Sequence, residues 1–137
     1  MDGRGKTILV AEDDESNRNL LGLLLKHARY EVYLAADGCE ALDWMLKGLY
    51  DAVMTDWDMP GLNGSQLLAL SQILLPDTPI LIVSAHDVPS PGSIPRGAFA
   101  WIKKPYNSQD LLQILQAAIQ TSSTREETRR PDDATTF

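Results

Sequence analysis

From residue 7 to residue 120, short apolar runs alternate with stretches in which apolar residues recur at helical spacing. Thr7 to Ala11 (T-I-L-V-A) has the length and continuity of a buried strand, and Ser16 to Ala28 follows with Leu20, Leu21, Leu24, Leu25 and Ala28 on one face of a helix. Glu31 to Ala35 predicts a second strand. Gly38 to Lys47 predicts a helix with Ala41, Leu42, Met45 and Leu46 on one side. Asp51 to Thr55 and Asn63 to Leu74 repeat the pair, the latter carrying Leu67, Leu68, Leu70 and Leu74. Pro79 to Ser84 (P-I-L-I-V-S) is the most continuous apolar run and predicts a central strand. Ala98 to Lys103 predicts a fifth strand, and Asn107 to Gln120 a closing helix with Asn107 as its cap and Asp110 in its first turn.

Strands alternating with helices imply an α/β domain, a doubly wound five-stranded parallel sheet covered on both faces. Two segments break the rhythm. Val88 to Gly97 holds Pro89, Pro91 and Pro95 where a fourth helix is due. Proline inside a helix removes a donor and is unfavourable by about 3 kcal/mol, so this helix is expected to be short or replaced by a Pro-rich loop. Residues 121–137 are rich in Thr, Arg and acids, lack an apolar face, and read as a disordered tail.

Composition narrows the function classes. The 137 residues suffice for one domain. Twelve Lys and Arg against 19 Asp and Glu give a net charge of −7, which disfavours nucleic acid as a partner. Cys39 is the single cysteine, so no internal disulfide can form, and with only His27 and His86 a zinc centre has no support. The N-terminus lacks the apolar stretch of a signal peptide, and no run of about 18 apolar residues suggests a membrane span. A cytoplasmic protein with no membrane partner is expected.

In a parallel α/β sheet, ligands bind beyond the carboxyl ends of the strands. Those ends here carry Glu12-Asp13-Asp14-Glu15, Asp56-Trp57-Asp58, Ser84-Ala85-His86 and Lys103-Lys104-Pro105. Crowded carboxylates repel one another unless a cation sits among them. Mg²⁺ needs only two or three such oxygen ligands because it retains several waters. One carboxylate can then attack a phosphoryl group in line while a lysine and a hydroxyl hold its oxygens.

The segments I-L-V-A-E-D-D-E-S-N-R, A-A-D-G-C-E-A-L, D-A-V-M-T-D-W-D-M-P-G-L-N-G, I-L-I-V-S-A and K-K-P-Y, with 43 residues separating Asp13 from Asp56, resemble the receiver domain of two-component response regulators. The resemblance covers residues 7–120, leaving residues 1–6 as an N-terminal extension. It implies a (βα)5 flavodoxin-like fold with strand order 2-1-3-4-5. Asp56 would be the phosphoacceptor. Glu12, Asp13, Asp56 and the backbone carbonyl of Asp58 would hold Mg²⁺, with Mn²⁺ as a substitute. Ser84 and Lys104 would bind the phosphoryl group, whereas Lys103, not adjacent to proline, would be a solvent-facing neighbour. Ser84 and Trp101 would form the switch. The Lys104–Pro105 bond resembles one usually cis in the family.

The resemblance further implies a sensor histidine kinase or histidine phosphotransfer protein as donor, a downstream protein as receiver of the signal, and a homodimer on activation. With 17 residues from Thr121 onward, no effector domain is expected to follow, so the chain reads as a stand-alone receiver or one cut from a hybrid kinase. Only 20 residues separate Ser84 from Lys104, fewer than the family usually has, which makes the proline-broken segment a candidate replacement output surface. Asp58 and His86, each two residues past a site residue, are candidate modulators of dephosphorylation. Trp57 is placed to narrow access to the acceptor. Two alternatives stand beside this: a small haloacid-dehalogenase-like phosphohydrolase using Asp56 and Asp58, and a non-phosphorylated binding module. A receiver modifies itself and does not turn over substrate, so the main reading is not an enzyme.

Overall fold

A computed structural model describes residues 3–89 and 92–128. The elements run β1 (Thr7–Ala11), α1 (Glu15–His27), β2 (Glu31–Ala35), α2 (Gly38–Lys47), β3 (Ala52–Thr55), α3 (Gly64–Leu74), β4 (Ile80–Ser84), β5 (Ala98–Lys103) and α4 (Ser108–Thr128). The five strands form one parallel sheet in the order β2-β1-β3-β4-β5. This is the flavodoxin-like order expected. Its chain reversal beside β1 opens a crevice at the carboxyl ends of β1 and β3.

Side-chain carboxylates and amides set where the helices start. Asp14 accepts from the Asn17 N–H at 2.8 Å to start α1, and Asp37 accepts from the Glu40 N–H at 2.8 Å to start α2. Asn63 and Gln66 make reciprocal bonds of 2.9 Å at the start of α3, satisfying two backbone donors that the first turn leaves unpaired. Asn107 caps α4 as expected, accepting from the Gln109 and Asp110 N–H groups. Each cap sits at a strand-to-helix turn, so the caps also shape the rim that carries the acidic residues.

The sheet has two buried faces. On one, Leu21 and Leu25 of α1 and Leu111, Leu115, Ala118 and Ile119 of α4 cover Ile8, Val10, Met54, Leu81, Val83 and Ile102. On the other, Ala41 and Met45 of α2 and Leu67 and Leu68 of α3 cover Leu9, Ala11, Val53, Ile80 and Ile82. Among the described residues, no helix lies between β4 and β5. The second face is therefore short of one helix. Part of the gap is filled by Trp101 and Trp57, which pack against that cluster with ring centroids 5.1 Å apart.

Trp101 reaches this face because β5 is irregular. Ile80 pairs with Ala98 but Leu81 pairs with Ala100, leaving Phe99 as an extra residue. A one-residue insertion reverses which face the following side chains meet. Phe99 thus packs on the α1/α4 side, and Trp101, two residues later, on the other.

One expectation needs correcting. The closing helix continues to Thr128, eight residues past Gln120, where a disordered tail was expected to have begun. Ser122 extends the buried spacing of Leu115, Ala118 and Ile119 by a further turn. Its hydroxyl donates to the Asp77 carbonyl at 2.5 Å, so a polar residue occupies a position that the apolar pattern cannot mark. The rest of the expected tail lies outside the described residues.

Candidate functional site

The loops after β1, β3 and β5 bring Glu12, Asp13, Asp56 and Lys104 together. One carboxylate oxygen from each of Glu12, Asp13 and Asp56 lies within 4.8 Å of the others. Glu12 is 5% exposed, Asp56 is half-buried and Asp13 faces solvent. Lys104 Nζ makes a short contact with Glu12 Oε1 and lies 3.2 Å from Asp56 Oδ2. The Lys104–Pro105 peptide is cis.

Two donors and a close approach complete the surroundings of Asp56. Asp56 Oδ1 accepts from the Trp57 N–H at 2.7 Å and the Asp58 N–H at 3.4 Å. A Cβ at Gly64 would overlap the Asp56 carbonyl oxygen, so glycine lets α3 begin directly against the loop after β3. The cluster opens beside a cleft of about 370 Å³ lined by Asp13, Asp58, Met59, Pro60 and Asn63.

The electrostatics follow from burial and pairing. Burial pushes the Glu12 carboxyl above its ordinary value, against the opposing pull of Lys104 and the Asp14 N–H. Burial alone would lower the Lys104 ammonium, but its contacts with Glu12 and Asp56 prevail and hold it above the ordinary lysine value. One lysine thus neutralises part of a three-carboxylate cluster, leaving a net negative, oxygen-rich site. Hard oxygen donors converging on one point from three side chains fit Mg²⁺. The residues present fit the metal that the sequence implied.

Ser84 is fully buried at the end of β4, and its Oγ accepts from the His86 N–H at 3.2 Å. The Asp58 carboxylate Oδ2 lies 2.8 Å from His86 Nε2. The phosphohydrolase alternative asks that carboxylate to serve as a general acid, whereas here it is engaged by His86. Lys103 faces solvent and pairs with Asp87 at 2.8 Å, which holds the Asp87 carboxyl below its ordinary value. Trp101 is half-buried, and its indole N–H donates to the His86 carbonyl at 2.9 Å.

Sequence reasoning gave no role to Arg18. Its guanidinium donates to the Glu12 carbonyl at 3.0 Å and the Asp13 carbonyl at 3.4 Å, fixing the turn that presents both carboxylates. A basic residue one turn into the helix after an acidic run was the available signal. The Trp57–Trp101 contact had no signal, since it depends on the irregularity in β5.

A parallel sheet in this order, with an acid cluster and a lysine at its carboxyl rim, defines a receiver. The chain belongs to the response regulator receiver domain family, whose profile matches residues 8–116. It is 33% identical over 115 residues to the DNA-binding transcriptional regulator NtrC of Bradyrhizobium sp. (strain RP501 Parasponia), a match covering 82% of this chain and 24% of that regulator. The chain thus spans about a quarter of that relative's length. Among solved structures, it is similar to the response regulator TrrA of Thermotoga maritima in complex with Mg²⁺-BeF (28% identity, TM-score 0.77, covering 82% of this chain and 98% of that one). It is also similar to the receiver domain of the sensor histidine kinase PA1611 of Pseudomonas aeruginosa PAO1, with magnesium coordinated in its active-site cleft (27% identity, TM-score 0.78, covering 85% and 98%). Receiver domains are signalling domains, and no helix among the described residues is long and apolar enough to cross a membrane.

Proposed function

We propose that this receiver takes a phosphoryl group from a phosphohistidine onto Asp56 and signals through protein–protein contacts. The observation that carries the proposal is Lys104 bridging Glu12 and Asp56 beside the exposed Asp13. This arrangement supplies an acceptor, a charge that can bind the transferred group, and carboxylates left over for a metal.

Glu12, Asp13, Asp56 and the Asp58 carbonyl would hold Mg²⁺, or Mn²⁺ in its place. The bound metal supplies charge neutralisation on the equatorial phosphoryl oxygens. The chain's own residues do the rest. The Trp57 and Asp58 N–H groups orient the acceptor carboxylate. An Asp56 oxygen forms a bond to phosphorus as the phosphorus–nitrogen bond to the donor histidine breaks, the electron pair leaving with the imidazole. Lys104 follows one phosphoryl oxygen, and the Ser84 hydroxyl donates to another once its side chain turns from His86. Water later attacks phosphorus, returning Asp56 and releasing phosphate, so the domain modifies and restores itself without turning over a separate substrate.

The donor would be a sensor histidine kinase or a histidine phosphotransfer protein. The output would be a downstream protein or a second copy of the chain, in the cytoplasm, with neither nucleic acid nor membrane as a direct partner. Residues 7–120 would form the functional receiver. The test is intact mass after incubation with acetyl phosphate and Mg²⁺. Wild type should gain one phosphoryl group, and EDTA or Asp56→Asn should abolish the gain. An unchanged mass in wild type, together with no binding of beryllofluoride, would refute the proposal in favour of a binding module.

A further inference from the structure

The acceptor carboxylate is held by three donors. Lys104 takes Oδ2, and the backbone N–H groups of Trp57 and Asp58 take Oδ1. Those two backbone groups belong to a loop whose own side chains are tied to the far side of the site. The Trp57 ring meets Trp101 of β5. The Asp58 carboxylate meets the His86 ring just beyond β4. His86 is itself fixed at both backbone poles: its N–H donates to Ser84 Oγ, and its carbonyl accepts from the Trp101 indole. The contacts close a circuit from Asp56 through Trp57, Trp101, His86 and Asp58 back to Asp56. It stands on the face of the sheet where no helix lies between β4 and β5 among the described residues.

We propose that Trp101 and His86 are positioning residues for the acceptor: through Trp57 and Asp58 they fix the two backbone N–H groups that orient Asp56. Neither touches the Asp56 carboxylate. Phosphoryl transfer depends on positioning more than on covalent assistance, and a small misplacement of a reacting group lowers its rate steeply. In a protein with a helix at this place, packing could hold the loop. Here the Gly64 N–H holds the Trp57 carbonyl at 2.9 Å from the α3 side, the aromatic contact and the His86–Asp58 pair hold the loop from the other, and that circuit ties the acceptor to the start of the connection from residue 85 to residue 97.

This inference rests on the acceptor reading above, and one experiment separates the two. Phosphoryl uptake from acetyl phosphate, with acetate leaving as the Asp56 oxygen–phosphorus bond forms, is followed by intact mass in Mg²⁺. Wild type is compared with His86→Ala, His86→Gln, Trp101→Phe and the double variant His86→Ala/Trp101→Phe. The His86 side chain is 70% exposed, so His86→Ala should keep the fold, checked by thermal melting. Trp101→Phe keeps a ring against Trp57 and removes only the donor to His86. Each of His86→Ala and Trp101→Phe should slow uptake about tenfold. The double variant should be no slower than the slower single, because both act through one circuit. His86→Gln, which can still donate to Asp58, should recover most of the rate. Equal rates in wild type and variants, or slowdowns that multiply in the double variant, would overturn the positioning role alone. No uptake in wild type would overturn the acceptor reading and this role with it.

Discussion

The two faces of the sheet are covered by different means. Over the α1/α4 face, two helices bury leucines and an isoleucine against the central strands, and Ile102 of β5 sits beneath them almost fully enclosed. Over the α2/α3 face the helices stop short of β5, and a half-buried tryptophan pair takes up the remainder. The acid–lysine rim has contacts of its own, since Glu12, Asp56 and Lys104 come from the ends of β1, β3 and β5 and are joined directly to one another. The lack of a helix between β4 and β5 among the described residues therefore alters cover on one face while leaving the acid–lysine cluster assembled. The acid–lysine cluster is thus assembled by its own contacts, and it meets the β4–β5 side through the Trp57–Trp101 and Asp58–His86 contacts.

The largest effect is expected of Lys104→Met, which removes the rim's cation while keeping a chain of similar volume. Phosphoryl uptake should fall by about 100-fold, the usual effect of deleting one preorganised partner of developing charge. The same variant tests the linkage of charge to stability. The Lys104 pKa is raised in the fold, chiefly by Glu12 and Asp56 working against burial. The folded state therefore binds this proton more tightly than the unfolded chain. The resulting stability is fully present below the ordinary lysine value, about 10.4, and is lost as pH rises through the higher folded value. Urea denaturation of wild type between pH 9 and pH 12 should show this loss, and Lys104→Met should lack that component. An identical alkaline decline in both proteins would mean that the rim contact contributes nothing to the fold.

Neighbouring residues of β5 compare the two faces directly. Ile102→Ala should destabilise by about 3 kcal/mol, as expected for a buried aliphatic side chain replaced beneath two helices. Trp101→Ala should destabilise by about 2 kcal/mol, below the usual range for an enclosed aromatic, because its ring remains half exposed. Denaturant midpoints measured side by side decide the matter. If Trp101→Ala left stability unchanged, the tryptophan pair would not be serving as cover, and the α2/α3 face would be stable without any substitute for a helix.

Much of this organisation was legible in the sequence, for physical reasons. β1, β2, β5 and α2 have the bounds that their apolar patterns predicted, and β3, β4, α1 and α3 differ only at their ends. Buried parallel strands are apolar without interruption, and Asp37 and Asn63 mark helix starts through short side chains that can reach backbone donors. The convergence of Glu12, Asp13, Asp56 and Lys104 was equally legible, because parallel topology places every strand's carboxyl end on one rim. What escaped was set by pairing between distant segments. The extra residue at Phe99 decides which face Trp101 meets, and nothing in A-F-A-W-I-K announces it. The His86–Asp58 contact was open to suspicion from position, but its ties to Ser84 and Trp101 depend on backbone geometry.

Ser122 gives the smallest effect and the finest test of how far the α1/α4 face extends. Its side chain is buried one turn beyond Ala118 and Ile119, and its hydroxyl joins α4 to the turn before β4 through the Asp77 carbonyl. Ser122→Ala removes the donor while preserving the small volume and raising intrinsic helix propensity by a few tenths of a kcal/mol. Loss of the buried hydrogen bond should outweigh that gain, for a net destabilisation of about 0.5–1 kcal/mol. Amide exchange should accelerate around residue 122 and in the 75–78 turn together, because a single bond joins them, while exchange in α2 and α3 stays as in wild type. If only the helix end responded, Ser122 would be an ordinary fraying position. The α1/α4 face would then end at Ile119, as the apolar pattern alone suggests.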